Sequence, residues 1–116
     1  MVAPNDALVG PSSGALNVGY TWSYIGTAAA RDYPLQLKAP YASRITNVVS
    51  KCASGTSTAT VKIDTVALGG TANSVSSTEQ DQAHSTSNVV AAGADVVVTF
   101  TAGAVDPQIT IKAVRL

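Results

Sequence analysis

What this chain has little of narrows its class at once. It contains a single cysteine, Cys52, so no intrachain disulfide can form and a disulfide-stapled secreted scaffold is excluded. Cys52 reads as a small apolar core residue. Charge is scarce: 12% of residues are Asp, Glu, Lys or Arg, about half of the usual ~25%. The seven basic residues, Arg31, Lys38, Arg44, Lys51, Lys62, Lys112 and Arg115, are scattered. A nucleic-acid partner needs a cluster of cations to displace counterions from phosphates, and none exists here. No apolar run approaches the ~20 residues that span a bilayer, so no membrane partner is expected. The start of the chain, Met1-Val-Ala-Pro-Asn-Asp, lacks a basic stretch followed by an apolar one. It does not read as a secretory signal, and synthesis in a cytoplasm is the expectation.

The chemistry of catalysis is equally thin. His84 is the only histidine. A Ser–His–Asp arrangement has no Gly-x-Ser-x-Gly elbow to support it. A zinc site would want several His or Cys ligands, and the chain offers one of each. Glu79 and Asp81 are two carboxylates in a polar stretch, but a solvated loop explains them better than a glycosidase pair. Glu79-Gln80-Asp81-Gln82 is too sparse for a calcium loop. Gly69-Gly70 has no neighbouring Lys or helix start to make a phosphate cradle. The chain is expected to be no enzyme, with no cofactor and no metal.

What the chain does have is short hydroxyl, small and β-branched side chains, with 46% hydrophobic residues over 116 positions. That length suits one domain with a real core. Ser, Thr and Val fit pleated strand surfaces better than helix surfaces. Alternation of period two recurs along the chain. Tyr20, Trp22 and Tyr24 share one face of residues 18–25. Residues 34–38 alternate again, with Leu35 and Leu37 together. Residues 43–52 form a strand, and residues 57–64 put Ala59, Val61 and Ile63 inward. A short strand lies in 65–71. Residues 72–83 read as a loop or helical turn, and 84–90 as a weak strand. Residues 95–101 put Val96, Val98 and Phe100 on one face. Residues 108–115 put Ile109, Ile111 and Ala113 inward. Ala28-Ala29-Ala30-Arg31-Asp32 allows one helical turn, which Pro34 limits. Short strands separated by Gly, Pro and Ser turns predict a β-sandwich or barrel.

Residues 1–17 are rich in Pro, Gly and Ser and read as an extended N-terminal arm before a single domain of residues 18–116. Leu8, Val9 and Leu16 are its candidate anchors. Five of the six aromatic residues lie in the first 41 positions. The Tyr20–Trp22–Tyr24 face has three readings: core, subunit interface, or stacking platform for a sugar ring. With the arm on one side and small residues on the other, packing against another chain is favoured. A formal net charge of zero also permits tight packing against further copies.

Residues 34–116 carry a wider pattern. Pro34-Leu-Gln-Leu-Lys-Ala-Pro-Tyr-Ala-Ser-Arg-Ile-Thr-Asn-Val-Val leads to Cys52-Ala-Ser-Gly-Thr-Ser-Thr-Ala-Thr-Val-Lys-Ile-Asp. Ser76-Ser-Thr and the run from Ala83 to Ser87 follow. Asn88-Val-Val-Ala-Ala-Gly-Ala-Asp-Val-Val-Val-Thr-Phe comes next, and Pro107-Gln-Ile-Thr-Ile-Lys-Ala-Val-Arg-Leu closes the chain. This order resembles a jelly-roll-like domain of tailed-bacteriophage virion proteins. Two departures stand out. Asp64-Thr65 replaces the Asn-Gly common in look-alikes, which implies a longer turn, and Gly93-Ala94-Asp95 replaces Gly-Asp. The resemblance implies an all-β, jelly-roll-type β-sandwich in a bacteriophage virion structural protein. A capsid decoration (cement) protein fits a small module without an attachment shaft, with the major capsid protein or another virion protein as partner. The alternative is a tail-fibre or baseplate receptor- or glycan-binding module. A homo-trimer is the implied assembly, and the virion the implied location.

Overall fold

The computed structural model describes residues 16–116, and these form two antiparallel sheets packed face to face with no helix. Among the described residues, therefore, no helix is long and apolar enough to cross a membrane. Leu8 and Val9, and all of the expected arm up to residue 15, lie outside the described residues. The strands are β1 (Asn17–Ser23), β2 (Asp32–Gln36), β3 (Ser43–Lys51), β4 (Ser57–Ile63), β5 (Val66–Ala67), β6 (Asn73–Val75), β7 (Gln80–Ala83), β8 (Val89–Val90), β9 (Val96–Phe100) and β10 (Gln108–Arg115).

The first sheet runs β1-β10-β3-β7, with β8 continuing along the same edge of β3 beyond β7. The second runs β2-β9-β4-β5, with β6 further along that edge of β4. Each sheet is therefore four strand columns wide, and its last column is broken into two pieces. The break in the first sheet is bridged by Asn88. Its side-chain amide donates to the carbonyls of Ile45, at 2.7 Å, and His84, at 3.1 Å, so backbone groups that a continuous strand would pair still find partners.

The core lies between the sheets and follows the alternation. Ala59 and Val61 of β4, Val96, Val98 and Phe100 of β9, and Ile109, Ile111 and Ala113 of β10 are buried, while Ile63 is half-buried against them. Cys52 is buried too, its thiol 3.3 Å from the Ser54 carbonyl.

Five local expectations need correction. Residues 72–83 hold β6 and β7 rather than a loop or helical turn. Of residues 84–90, only Val89 and Val90 are strand. Residues 28–32 make no helical turn: Ala28 is buried with its N–H donating to the Ala104 carbonyl at 2.9 Å, and the adjacent Thr27 forms an isolated bridge with Val105, which holds the chain extended. Leu35 and Leu37 do not share a face, because β2 carries a register shift between Pro34 and Gln36, and Leu37 is 63% exposed. The turn at Asp64-Thr65 is not longer than Asn-Gly would make it. Ile63 pairs with Val66, leaving a two-residue hairpin turn. Asp64 adopts φ +55°, a conformation Asp tolerates better than most residues, and its carboxylate accepts from the Asp95 N–H at 3.1 Å.

Candidate functional site

The sandwich has two open sides, closed by different chemistry. On the β6/β7 side the sheets are joined by polar groups. Asn73 of β6 is fully buried, and its amide donates to the Val48 carbonyl at 2.8 Å and to Ser50 Oγ at 3.2 Å, both on β3. His84, also buried, donates from Nδ1 to the Gly69 carbonyl at 2.9 Å, and its Nε2 lies 3.4 Å from Asn73 Oδ1. Gly69 is required there, since a Cβ would sit 1.8 Å from Thr86 Oγ1. His84 is thus a buried strut that links the Gly69 carbonyl to Asn73. Asn73 is the member that sequence reasoning missed. A polar residue two positions before Val75 in a Ser/Asn-rich run carries no signal of burial.

On the β1/β2 side the seal is aromatic. Trp22 and Tyr24 from the first sheet meet Tyr33 and Phe100 from the second. Trp22 stacks on Phe100 with centroids 5.6 Å apart and tilts against Tyr33 at 5.2 Å; Tyr24 meets Tyr33 at 5.2 Å. The Arg31 guanidinium lies 4.6 Å from the Tyr33 centroid and covers the cluster from outside. The structure brings Tyr20, Trp22 and Tyr24 to one face, as alternation requires. All three are half-buried and pack on the core, so part of each ring is engaged and part remains accessible. Tyr20 Oη is buried without a hydrogen-bond partner among the described residues. That burial, reinforced by the neighbouring Tyr41, pushes the Tyr20 phenol well above its usual range.

Leu16 stands at the mouth of β1, where its carbonyl accepts from the Arg115 N–H at 2.8 Å; its side chain is 45% exposed. Ile25, just past the other end of the strand, is 92% exposed. Apolar side chains thus flank β1 at both ends.

The opposite face of the first sheet is polar. Gly19, Thr21, Thr46, Thr110 and Lys112 line an open groove of about 480 Å³. Gly19 leaves no room for a side chain, because a Cβ there would lie 2.6 Å from the Ile111 carbonyl oxygen. Lys112 Nζ donates to Asp81 at 2.9 Å and Asn47 to the other carboxylate oxygen at 2.8 Å. The Lys112 hydrogen bond, with help from Asn47, holds the Asp81 carboxyl below its usual range. Asp81 is therefore engaged with a cation and an amide, and it makes no carboxylate pair with Glu79. Among the described residues no group of three His, Cys, Asp or Glu side chains converges as metal ligands would.

Neither the models of known protein families nor the curated proteins contain a match to this chain.

Proposed function

We propose that this chain is a jelly-roll structural protein of a tailed-bacteriophage-type virion, acting as a capsid decoration protein. The observation that supports this reading is the order of strand columns. With the two broken columns each counted once, the sheets run 1-8-3-6 and 2-7-4-5 along the chain. That order supports the reading of an eight-stranded jelly roll, in which two Greek keys wrap one core, an architecture that recurs in viral capsid and lectin domains. Between those two uses, the aromatic face favours the structural one. Trp22, Tyr24, Tyr33 and Phe100 pack ring against ring and close the sandwich, whereas a sugar platform presents its rings to solvent. The resemblance of residues 34–116 to phage virion domains points the same way.

The test is localisation. Particles assembled in cells that make this chain are purified, tailless heads are separated from free tails, and each fraction is probed for the protein. Recovery in many copies on tailless heads is the expected result. Recovery only with tails, joined to glycan-array binding that Trp22→Ala abolishes, would replace the reading with the receptor-binding one. Absence from both fractions would end it.

A further inference from the structure

Among the described residues, four strand edges border the two sheets, and three are blunted. The β2 edge is short, carries Asp32 and Pro34, and is broken by a register shift. The β7/β8 edge is interrupted and bears Asp81. The β5/β6 edge is made of pieces of two and three residues. Charge, proline, bulges and shortness are the usual devices that stop a sheet from growing at its edge. The fourth edge has none of them. β1 is seven residues long, uninterrupted in register against β10 from Asn17 to Ser23, and free of charge and proline.

The direction of its hydrogen bonds follows from the pairing. Leu16 accepts from Arg115 and Tyr24 donates to the Pro107 carbonyl, so the even-numbered residues of this strand bond to β10. Backbone groups alternate sides along a strand, which turns the N–H and C=O of Asn17, Gly19, Thr21 and Ser23 to the open edge. We propose that this edge pairs with the β1 of a second copy of the chain, antiparallel about a dyad at Tyr20, so that the first sheet runs unbroken through a dimer.

The sequence of β1 is self-complementary in that register. Asn17 faces Ser23 of the other copy, and Gly19 faces Thr21, so polar side chains meet polar ones and the missing side chain of Gly19 leaves room for a threonine. On the inner face Val18 lies beside Trp22 and Tyr20 beside Tyr20, covering the accessible parts of rings that β1 alone leaves half-buried. Without charge on the strand, two copies meet without repulsion. All four residues whose backbone faces outward take part: Asn17 and Ser23, Gly19 and Thr21, each pair twice across the dyad. The dimer does not depend on the virion reading, and it departs from the trimer that the family resemblance implies.

Light scattering of the full chain at high micromolar concentration is expected to give about twice the 11.7 kDa of one chain. Thr21→Pro removes an N–H that points to the open edge and not to β10, and should return the mass of one chain with the β circular-dichroism spectrum retained. Thr21→Lys, which keeps the N–H, serves the same purpose should the proline unfold the domain. The double variant Asn17→Cys, Ser23→Cys fixes the register. Its thiols are too far apart within one strand to join, but opposite partners in the dimer stand about 5.5 Å apart at Cα, within disulfide reach. Mild oxidation should then give a covalent dimer on a non-reducing gel. The mass of one or of three chains for the unaltered protein, a dimer that both Thr21 variants leave intact, or no covalent dimer would overturn the proposal.

Discussion

Asn73 shows how much one polar side chain can hold. It sits on a three-residue strand, too short to be kept in place by its ladder alone, yet it is fully buried. Its amide bridges to β3 of the other sheet, and His84 packs at its carbonyl oxygen. Asn73→Ala would leave the Val48 carbonyl and Ser50 hydroxyl short of a donor in a dry setting, a cost of about 2–3 kcal/mol. Ser74→Ala, at the exposed neighbouring position, should change stability by less than about 0.5 kcal/mol. Chemical denaturation of the two variants checks the contrast; equal effects would mean that the network is idle. Nothing in the local sequence marks Asn73 or His84 for burial. Both were legible only as polar residues in a polar stretch, because their partners lie on strands far away in the chain. Val61, Val98 and Ile111 are the opposite case: alternation over a whole strand names the inward face before any partner is known.

Among the elements, strand length decided what could be read. The strands β1, β3, β4, β9 and β10 have five to nine residues each, enough for a period of two to declare itself. The pieces β5, β6, β7 and β8 have two to four, too few for alternation to declare itself, so β6 and β7 merged with the loops around them although a short strand was expected where β5 lies. The hairpin at Asp64-Thr65 needs only two residues because Asp64 takes a left-handed φ with its carboxylate anchored by the Asp95 N–H, a tertiary contact that the local sequence does not reveal. The aromatic face of β1 was legible as a face, but its cross-sheet partners Tyr33 and Phe100 were not, since sheet assignment is a tertiary fact. Gly19 tests how β1 is held. The position has no positive φ; what it lacks is space, with the Ile111 carbonyl 2.6 Å from any Cβ. Gly19→Ala should push β1 off β10 and cost about 1–3 kcal/mol. The fluorescence of Trp22, three residues along the same strand, should move toward that of a solvated indole before the global transition. Coincident transitions would show that β1 is rigidly part of the sandwich.

At the scale of the molecule, the ends of the chain are woven into its centre. β1 pairs with β10, and β2 with β9, so the first two strands find their ladders only on the last two. β10 in turn lies between β1 and β3 at the middle of its sheet. Neither sheet can be completed until nearly the whole chain is present, and loop-closure entropy must be met before any long-range pairing offsets it. Such topologies fold on a time scale of roughly milliseconds to seconds. Trp22 is the sole tryptophan and sits where rings from β1, β2 and β9 converge, which makes its fluorescence a reporter of sheet-on-sheet closure. Refolding followed by Trp22 should show a slow main phase without an earlier change in the same signal. A chain ending at Pro107, which lacks β10, should give no cooperative unfolding transition at all. A truncated chain that still melts cooperatively would mean that β3, β4 and β9 form a core able to stand without either end. The central position of β10 argues against that, because its loss leaves β1 with no neighbour in its sheet and exposes the inner faces of Ile45 and Val48 together.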